Sequence, residues 1–366
     1  MPDLPDIQTL RLCSMLASFA FFGVFARLWL GQRDAVYLLY WAASSLLYTL
    51  TILSFDVSGH TPLQDGLLYA LLSASTLLSL SGVRRFDGLA PFPLWLILPI
   101  LVSGFGYGVP AHLFGADSAA ARIGGTCGSI LTMAITGGLL VFGGRGAASP
   151  GRRIAGAAYL AYIPCFLAAI TAEAFGVASV NMAALIPMLA DQLLLAVLNL
   201  GLIAMPGERA QARLQEAALR DPLTGAWNRA GLAALAPRLL RPGHAVIVLD
   251  VDHFKTINDR HGHGAGDRIL TALVASARAV LPAGAEIARL GGDEFVMILP
   301  DQSRAEASWL ADEVRHAIRR ASDLPPWTIS LGIAAVEPGD RDFAQAIERA
   351  DAALYRAKAA GRDRAA

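Results

Sequence analysis

Lysine is almost missing from this 366-residue chain: of its 30 basic residues only two, Lys255 and Lys358, are lysines. Charge of any kind is scarce. Charged residues make up 16% of the chain, against about 25% in a soluble domain, and this excludes a disordered polyelectrolyte. The formal net charge is zero, so no bulk attraction draws the chain to a polyanion and no nucleic-acid partner is expected. Three cysteines, Cys13, Cys127 and Cys165, are too few and too scattered for a disulfide framework, and none has metal-ligand spacing. Each sits in an apolar stretch and reads as a buried, inert thiol.

What the chain has instead is apolar sequence, 55% of its residues, and this is unevenly spread. Up to residue 204 the chain is long apolar runs with nine arginines, nine acids and no lysine; beyond Pro206 it reads as a charged soluble region. Seven apolar windows, at about 10–30, 35–55, 66–83, 91–109, 123–143, 154–175 and 180–204, are each near the length that crosses a hydrocarbon core of about 30 Å. The first run is too long for the core of a cleavable signal peptide, and no small-residue cleavage site follows it. Arg27, Arg33, Arg84, Arg85, Arg145, Arg152 and Arg153 cluster at odd-numbered loops. The second loop, with Asp56, His60 and Asp65, has no base. Positive residues mark the cytoplasmic side. The expectation is a multi-pass membrane protein, N-terminus outside and C-terminal region in the cytoplasm. Asn181, Asp191, Gln192 and Asn199 are the polar residues at or near membrane depth, where such groups are functional candidates or helix–helix glue.

The C-terminal region alternates strand and helix patterns. Strands are expected at 245–250, 286–290, 295–299 and 327–334, and helices at 228–240, 305–320 and 343–360. Two further helical stretches flank a glycine-rich turn at 262–266. This argues for an α/β sandwich. Asp250 ends an apolar strand, Asp252 follows it, and Asp293 and Glu294 sit on a glycine-rich hairpin turn. Acids emerging together from buried strands build a hard-cation site. Magnesium takes few carboxylates and completes its shell with water and phosphate oxygens.

The ordered set of motifs is Asp221-Pro-Leu-Thr-Gly-Ala-Trp-Asn-Arg229, Leu249-Asp-Val-Asp-His-Phe-Lys-Thr-Ile-Asn258, His261-Gly-His-Gly-Ala-Gly-Asp267, Arg289-Leu-Gly-Gly-Asp-Glu-Phe295 and Ala353-Leu-Tyr-Arg-Ala-Lys358 with Gly361-Arg362. Over about 215–364 this closely resembles the GGDEF family of diguanylate cyclases. The resemblance implies a palm-like nucleotidyl-cyclase fold behind the α-helical transmembrane bundle. It also implies condensation of two GTP into cyclic di-GMP by a homodimer, with Mg²⁺, or alternatively Mn²⁺, as cofactor.

Position by position, the resemblance makes Asp250, Asp293 and the Val251 carbonyl metal ligands. Glu294 becomes the second signature acid, binding metal or activating the ribose hydroxyl. Asn258 and Asp267 become readers of guanine. Lys255, Lys358 and Arg362 face the triphosphate, and His263, Gly291 and Gly292 complete the substrate-binding positions. The chain's two lysines both fall at phosphate-facing positions, where a compact point charge suits phosphate. Lys358 and Arg362, four apart, are expected on one face of the last helix. Many relatives carry an Arg-x-x-Asp product-binding site before the signature; here that stretch is Pro282-Ala-Gly-Ala285, so feedback through it is not expected. A damaged signature would favour a non-catalytic nucleotide-binding module, and the signature is intact. The domain reading is 1–205 for a seven-span sensory or targeting membrane region, with an unknown upstream signal, 206–220 for a linker helix and 221–366 for the cyclase domain. Pro206-Gly207 is expected to break the helix between the first two, and Ala210, Leu214 and Ala217 give the linker a short coiled-coil-like seam.

Overall fold

The structure, a computed structural model, describes residues 6–366 except 56–58, 60, 144–148, 176–181, 240–241, 320–323 and 341. Asp56, His60, Arg145 and Asn181 lie outside the described residues. The chain divides into two compact units, Met1–Ala210 and Gln211–Ala366.

The first unit is all helix. It contains α1 (Ile7–Gly31), α2 (Tyr37–Ser54), α3 (Pro62–Phe86), a 3₁₀ turn (Leu94–Leu96) leading into α4 (Ile97–Phe114), α5 (Ala119–Phe142), α6 (Pro150–Ala174) and α7 (Met182–Ala218). Seven of these stretches are long and apolar enough to cross a membrane. Several helices extend beyond their apolar windows because polar caps start them: Thr61 with Gln64 in a capping box, Ser118 at Ala121 N and Ser149 at Arg152 N. Each cap satisfies amides that the first turn leaves bare. Residues read as loop charges therefore sit on helices. Arg84 and Arg85 lie in the last turn of α3, and Arg122 of α5 pairs with Glu173 of α6 at 2.7 Å.

Two expectations fail here. Cys13 and Cys127 are exposed rather than buried, because the outer face of a spanning helix is as apolar as its inner face. Apolar neighbours therefore say nothing about burial. The second failure is the break at Pro206-Gly207, since α7 runs through it. A proline inside a helix frees a carbonyl and bends the axis, and contacts on both sides hold this one in line. Leu202 and Met205 are buried before it. After it, Glu208 accepts from Gly151 N at the start of α6 (2.8 Å), and Arg209 donates to Phe86 O (2.6 Å) and stacks on the Phe86 ring.

The second unit is a four-stranded antiparallel sheet between helices. Its elements are α8 (Arg229–Leu239), β1 (Ala245–Val251), α9 (Phe254–His261), α10 (His263–Val280), β2 (Glu286–Gly291), β3 (Glu294–Leu299), α11 (Arg304–Arg319), β4 (Ile329–Ala335) and α12 (Phe343–Ala359). The strand order is β2-β3-β1-β4. Strand parity decides which core each residue joins. Odd-numbered β1 residues, Ile247 and Leu249 among them, pack with α10 and α11. Even-numbered Val246 and Val248 pack with Leu232 of α8 and Ala346, Ala350 and Leu354 of α12. The glycine-rich stretch at 262–266 is less of a turn than expected: only Gly262 lies between helices, and α10 starts at His263.

Candidate active site

The parity of β1 builds the site. Asp250 follows Val246 and Val248 on the face covered by α12, where the strand end leaves the apolar core. Across the sheet it registers with Glu294 at the start of β3 and with Ser330 on β4. Directly opposed residues of an antiparallel pair share a face, so Asp250 and Glu294 lie side by side. From α12, Lys358 reaches the same carboxylate, with Nζ 2.8 Å from Asp250 Oδ1. Burial pushes the Asp250 carboxyl above the usual carboxylate range; the Lys358 hydrogen bond opposes this, and the charges of Asp293 and Asp252 add to it.

The signature turn is held from behind. Gly292, with φ 53°, takes a left-handed conformation that only glycine adopts without cost. Arg289 donates through Nε to the Gly292 carbonyl (2.9 Å) and through Nη1 to both oxygens of Asp221 (3.1 Å each). Burial raises the Asp221 carboxyl, but Thr224's hydroxyl and amide and the Arg289 guanidinium outweigh this and hold it below the usual range. Asp293 and Glu294 are thereby presented on a fixed turn. Arg289 received no role from the sequence, since nothing in local spacing links residues 221 and 289. Its place two residues before the glycine pair was the only available signal.

A second cluster lies on α9 and α10. His253, in the left-handed region at φ 57°, turns the chain out of the β1 strand and into α9. Asn258 lies over the start of α10, so close that a Cβ at Gly266 would stand 2.1 Å from Asn258 Oδ1. That oxygen is buried and has no hydrogen-bond donor among the described residues. Lys255 and Asp267 are exposed on the first turns of α9 and α10, and His263, the first residue of α10, is exposed too. The structure thus joins Asp250, Glu294 and Lys358 by register and ion pair, and gives Asn258 an unused acceptor.

Arg362 departs from expectation. The α12 helix ends at Ala359, and the chain closes a Schellman-type cap in which Arg362 N donates to Ala357 O at 3.1 Å. Arg362 therefore lies beyond the helix, not one turn along its face from Lys358. The cause is the tail. With φ 113° at Gly361, 63° at Arg362 and 47° at Asp363, the chain folds back so that Ala365 bridges Leu331 on β4. Asp252 secures that return. It is buried and accepts from Thr328 Oγ1 and Ser330 Oγ at 2.7 Å each and from Asp363 N at 3.1 Å. Asp252 thus ties the tail and β4 to β1, a structural task its place in an acidic motif hid. Asp252→Ala strands two hydroxyls and an amide, and is expected to cost roughly 3 kcal/mol. Thermal unfolding of the full chain would show the loss.

Among the described residues no three His, Cys, Asp or Glu side chains stand close enough to hold an ion alone. The donors present are nonetheless hard oxygens: Glu294 stands opposite Asp250 across the ladder, and the Asp293 charge acts on Asp250. That fits a divalent cation that takes most of its shell from water and phosphate.

Comparison with known proteins gives the same reading for this unit. Residues 218–364 match the family "Diguanylate cyclase, GGDEF domain". The chain is 42% identical over 161 residues to diguanylate cyclase DgcP of Pseudomonas aeruginosa, covering 41% of this chain and 24% of that protein. It is 34% identical over 165 residues to diguanylate cyclase DgcM of Escherichia coli K12, covering 43% of this chain and 40% of that protein. It therefore spans less than half the length of either relative. Among solved structures, the GGDEF domain of DgcB from Caulobacter crescentus in complex with c-di-GMP aligns at 33% identity and a TM-score of 0.38, covering 40% of this chain and 94% of that one. The family match, with the intact signature on the turn before β3, makes residues 218–364 a GGDEF domain of the diguanylate cyclase family, preceded by seven candidate membrane-spanning helices.

Proposed function

We propose that this chain is a membrane-bound diguanylate cyclase that condenses two GTP into cyclic di-GMP and two pyrophosphates. The observation that carries this reading is the convergence of Asp250, Glu294 and Lys358 at the open end of an otherwise buried strand pair. A divalent cation, Mg²⁺ or Mn²⁺, held there by Asp250, Asp293, Glu294 and the Val251 carbonyl would neutralise phosphate charge and make the ribose 3′-hydroxyl easier to deprotonate. Lys358 orients the Asp250 carboxylate and places a fixed positive charge beside the triphosphate, with Lys255 and Arg362 supplying more from α9 and the tail. Gly291 and Gly292 let phosphate approach the backbone. The Asn258 amide and the exposed Asp267 carboxylate are the groups that would read the donor and acceptor edge of guanine. His263 lies at the same helix start. Glu294 takes the proton from the 3′-hydroxyl as it attacks the α-phosphate of the second GTP. Each domain holds one GTP, so two copies must face each other. Purified full-length protein given GTP and Mg²⁺ should yield cyclic di-GMP and should not form the cyclic dinucleotide from ATP; a chain that releases only GDP or GMP would refute the reading.

Two further expectations follow from this reading. Pro282 and Ala285 stand where relatives carry a charged pair, so micromolar cyclic di-GMP should leave the initial rate within about twofold of its uninhibited value. Strong inhibition relieved by substitutions at 282–285 would contradict this. We also infer that the N-terminus lies outside and the GGDEF domain in the cytoplasm, from the arginines flanking alternate helix connections. A reporter inserted after Arg153 should then behave as cytoplasmic and one after Gly115 as external; the reverse pattern would invert the topology.

A further inference from the structure

The helical unit contains a mostly apolar cavity of about 160 Å³ at membrane depth, lined from several of its helices. At its wall Asp191 of α7 is buried. Tyr48 donates to its Oδ2 at 2.8 Å and Tyr162 to its Oδ1 at 2.5 Å. Both are neutral phenols. No cationic side chain among the described residues pairs with Asp191; Arg11, also on the cavity wall, lies toward the Phe55 ring instead. A carboxylate buried in a membrane region without a cation is expensive, and such groups face cavities and mark ligand or ion sites.

The rest of the wall says what would compensate it. Trp41, Tyr48, Tyr159 and Tyr162 line the cavity. Their polar atoms are already used: Trp41 Nε1 donates to Ser79 O at 3.1 Å, Tyr159 bonds Ser79 Oγ, and the other two hold Asp191. Trp41 packs on Phe25 and Tyr37, and Tyr162 stacks on Phe166, so what these side chains offer a ligand is the ring surface that lines the cavity. Aromatic surface sharing a cavity with a carboxylate attracts an organic ammonium, through charge and cation–π contact together. A cavity of about 150 Å³ holds benzene, so the space suits one small ring or short chain bearing the amine.

We propose that the seven-helix unit binds a small monoamine, roughly seven to nine non-hydrogen atoms by that comparison, with its ammonium on Asp191 and its apolar body against the aromatic wall. The site is separate from the nucleotide site and needs none of its chemistry.

The test uses the full chain in lipid nanodiscs without nucleotide, so its outcome is independent of the cyclase reading. Benzylamine, benzyl alcohol and benzoate are titrated by calorimetry against empty discs. Benzylamine should bind saturably, one per chain, and at least tenfold more tightly than the alcohol or the acid. Asp191→Asn keeps the shape and should weaken benzylamine at least tenfold. Met188→Trp, which fills the cavity with an apolar ring, should abolish binding while Asp191 is retained. Should Asp191→Asn fail to fold, the ranking of the three probes on the wild-type chain and the Met188→Trp result decide. Absence of saturable benzylamine binding, equal affinity for all three probes, or an Asp191→Asn chain that binds as wild type would each overturn the proposal.

Discussion

A chain carrying Asp250→Asn is expected to form cyclic di-GMP at least about 10³-fold more slowly than wild type, a loss of roughly 4 kcal/mol of transition-state stabilisation. It should also fold at least as well. The substitution keeps the side-chain shape and removes the charge that Lys358 orients and that the cation would share. The folding outcome follows from linkage. Burial raises the Asp250 carboxyl, with Asp293 and Asp252 adding to the effect and Lys358 opposing it. For a carboxyl raised in the folded state, that state binds more protons than the unfolded one between the two pKa values, so stability falls as pH rises through the window. At neutral pH the ionised Asp250 is therefore a cost to the fold, retained for chemistry. Asp250→Asn should show an unchanged or raised unfolding temperature with activity lost. Glu294→Gln, exposed at the start of β3, should lose activity to the same degree. Full activity in either variant would remove these acids from the mechanism.

The second large effect concerns the route from membrane to catalytic domain. Deleting residues 1–205 should leave a largely monomeric domain at least tenfold less active, because in the proposed reaction each domain holds one GTP and two domains must face each other. The unbroken α7 carries this expectation. It runs from Met182 to Ala218, and all its residues from 211 to 218 are exposed in the single chain, Leu214 at 71%. Ala210, Leu214 and Ala217 give it a narrow seam that two small residues make weak. Cut at residue 205, the stretch of α7 that remains, 206–218, is marginal alone, so the membrane region is expected to supply most of the pairing. Fusing a strong dimeric coiled coil in register with Leu214 should restore activity. Each residue inserted at the junction turns the helix by about 100° and should change the rate. A truncated domain that is a fully active dimer, or registers that all behave alike, would make α7 a passive tether.

How far the sequence reached depended on whether a signal was local. The strand ending at Asp250 was readable because Ala-Val-Ile-Val-Leu is a continuous apolar run. The seven spans were readable by length and apolarity. Asn258, Lys358 and the signature acids were named by a motif set whose order is specific. The register that sets Glu294 beside Asp250 was not readable, since it depends on strand pairing, nor was the Arg289–Asp221 link across 68 positions. Arg362 was misplaced because helical spacing continued past Ala359, where the returning tail imposes positive φ instead. Pro206 was misread for a related reason: local propensity argues for a break, while burial of Met205 and the contacts of Glu208 and Arg209 hold the helix through it. Asp191 was visible as a polar residue in an apolar run; its two tyrosine partners come from α2 and α6, and the cavity beside it is lined from six helices.

The central claim is that this chain joins two GTP molecules. The most direct measurement follows a single reaction of the full-length protein with GTP and Mg²⁺ by phosphorus NMR, counting GTP consumed, pyrophosphate released and phosphodiester formed. The account predicts two GTP lost and two pyrophosphates released for each cyclic dinucleotide. Orthophosphate with GDP, or pyrophosphate released without a dinucleotide, would contradict it.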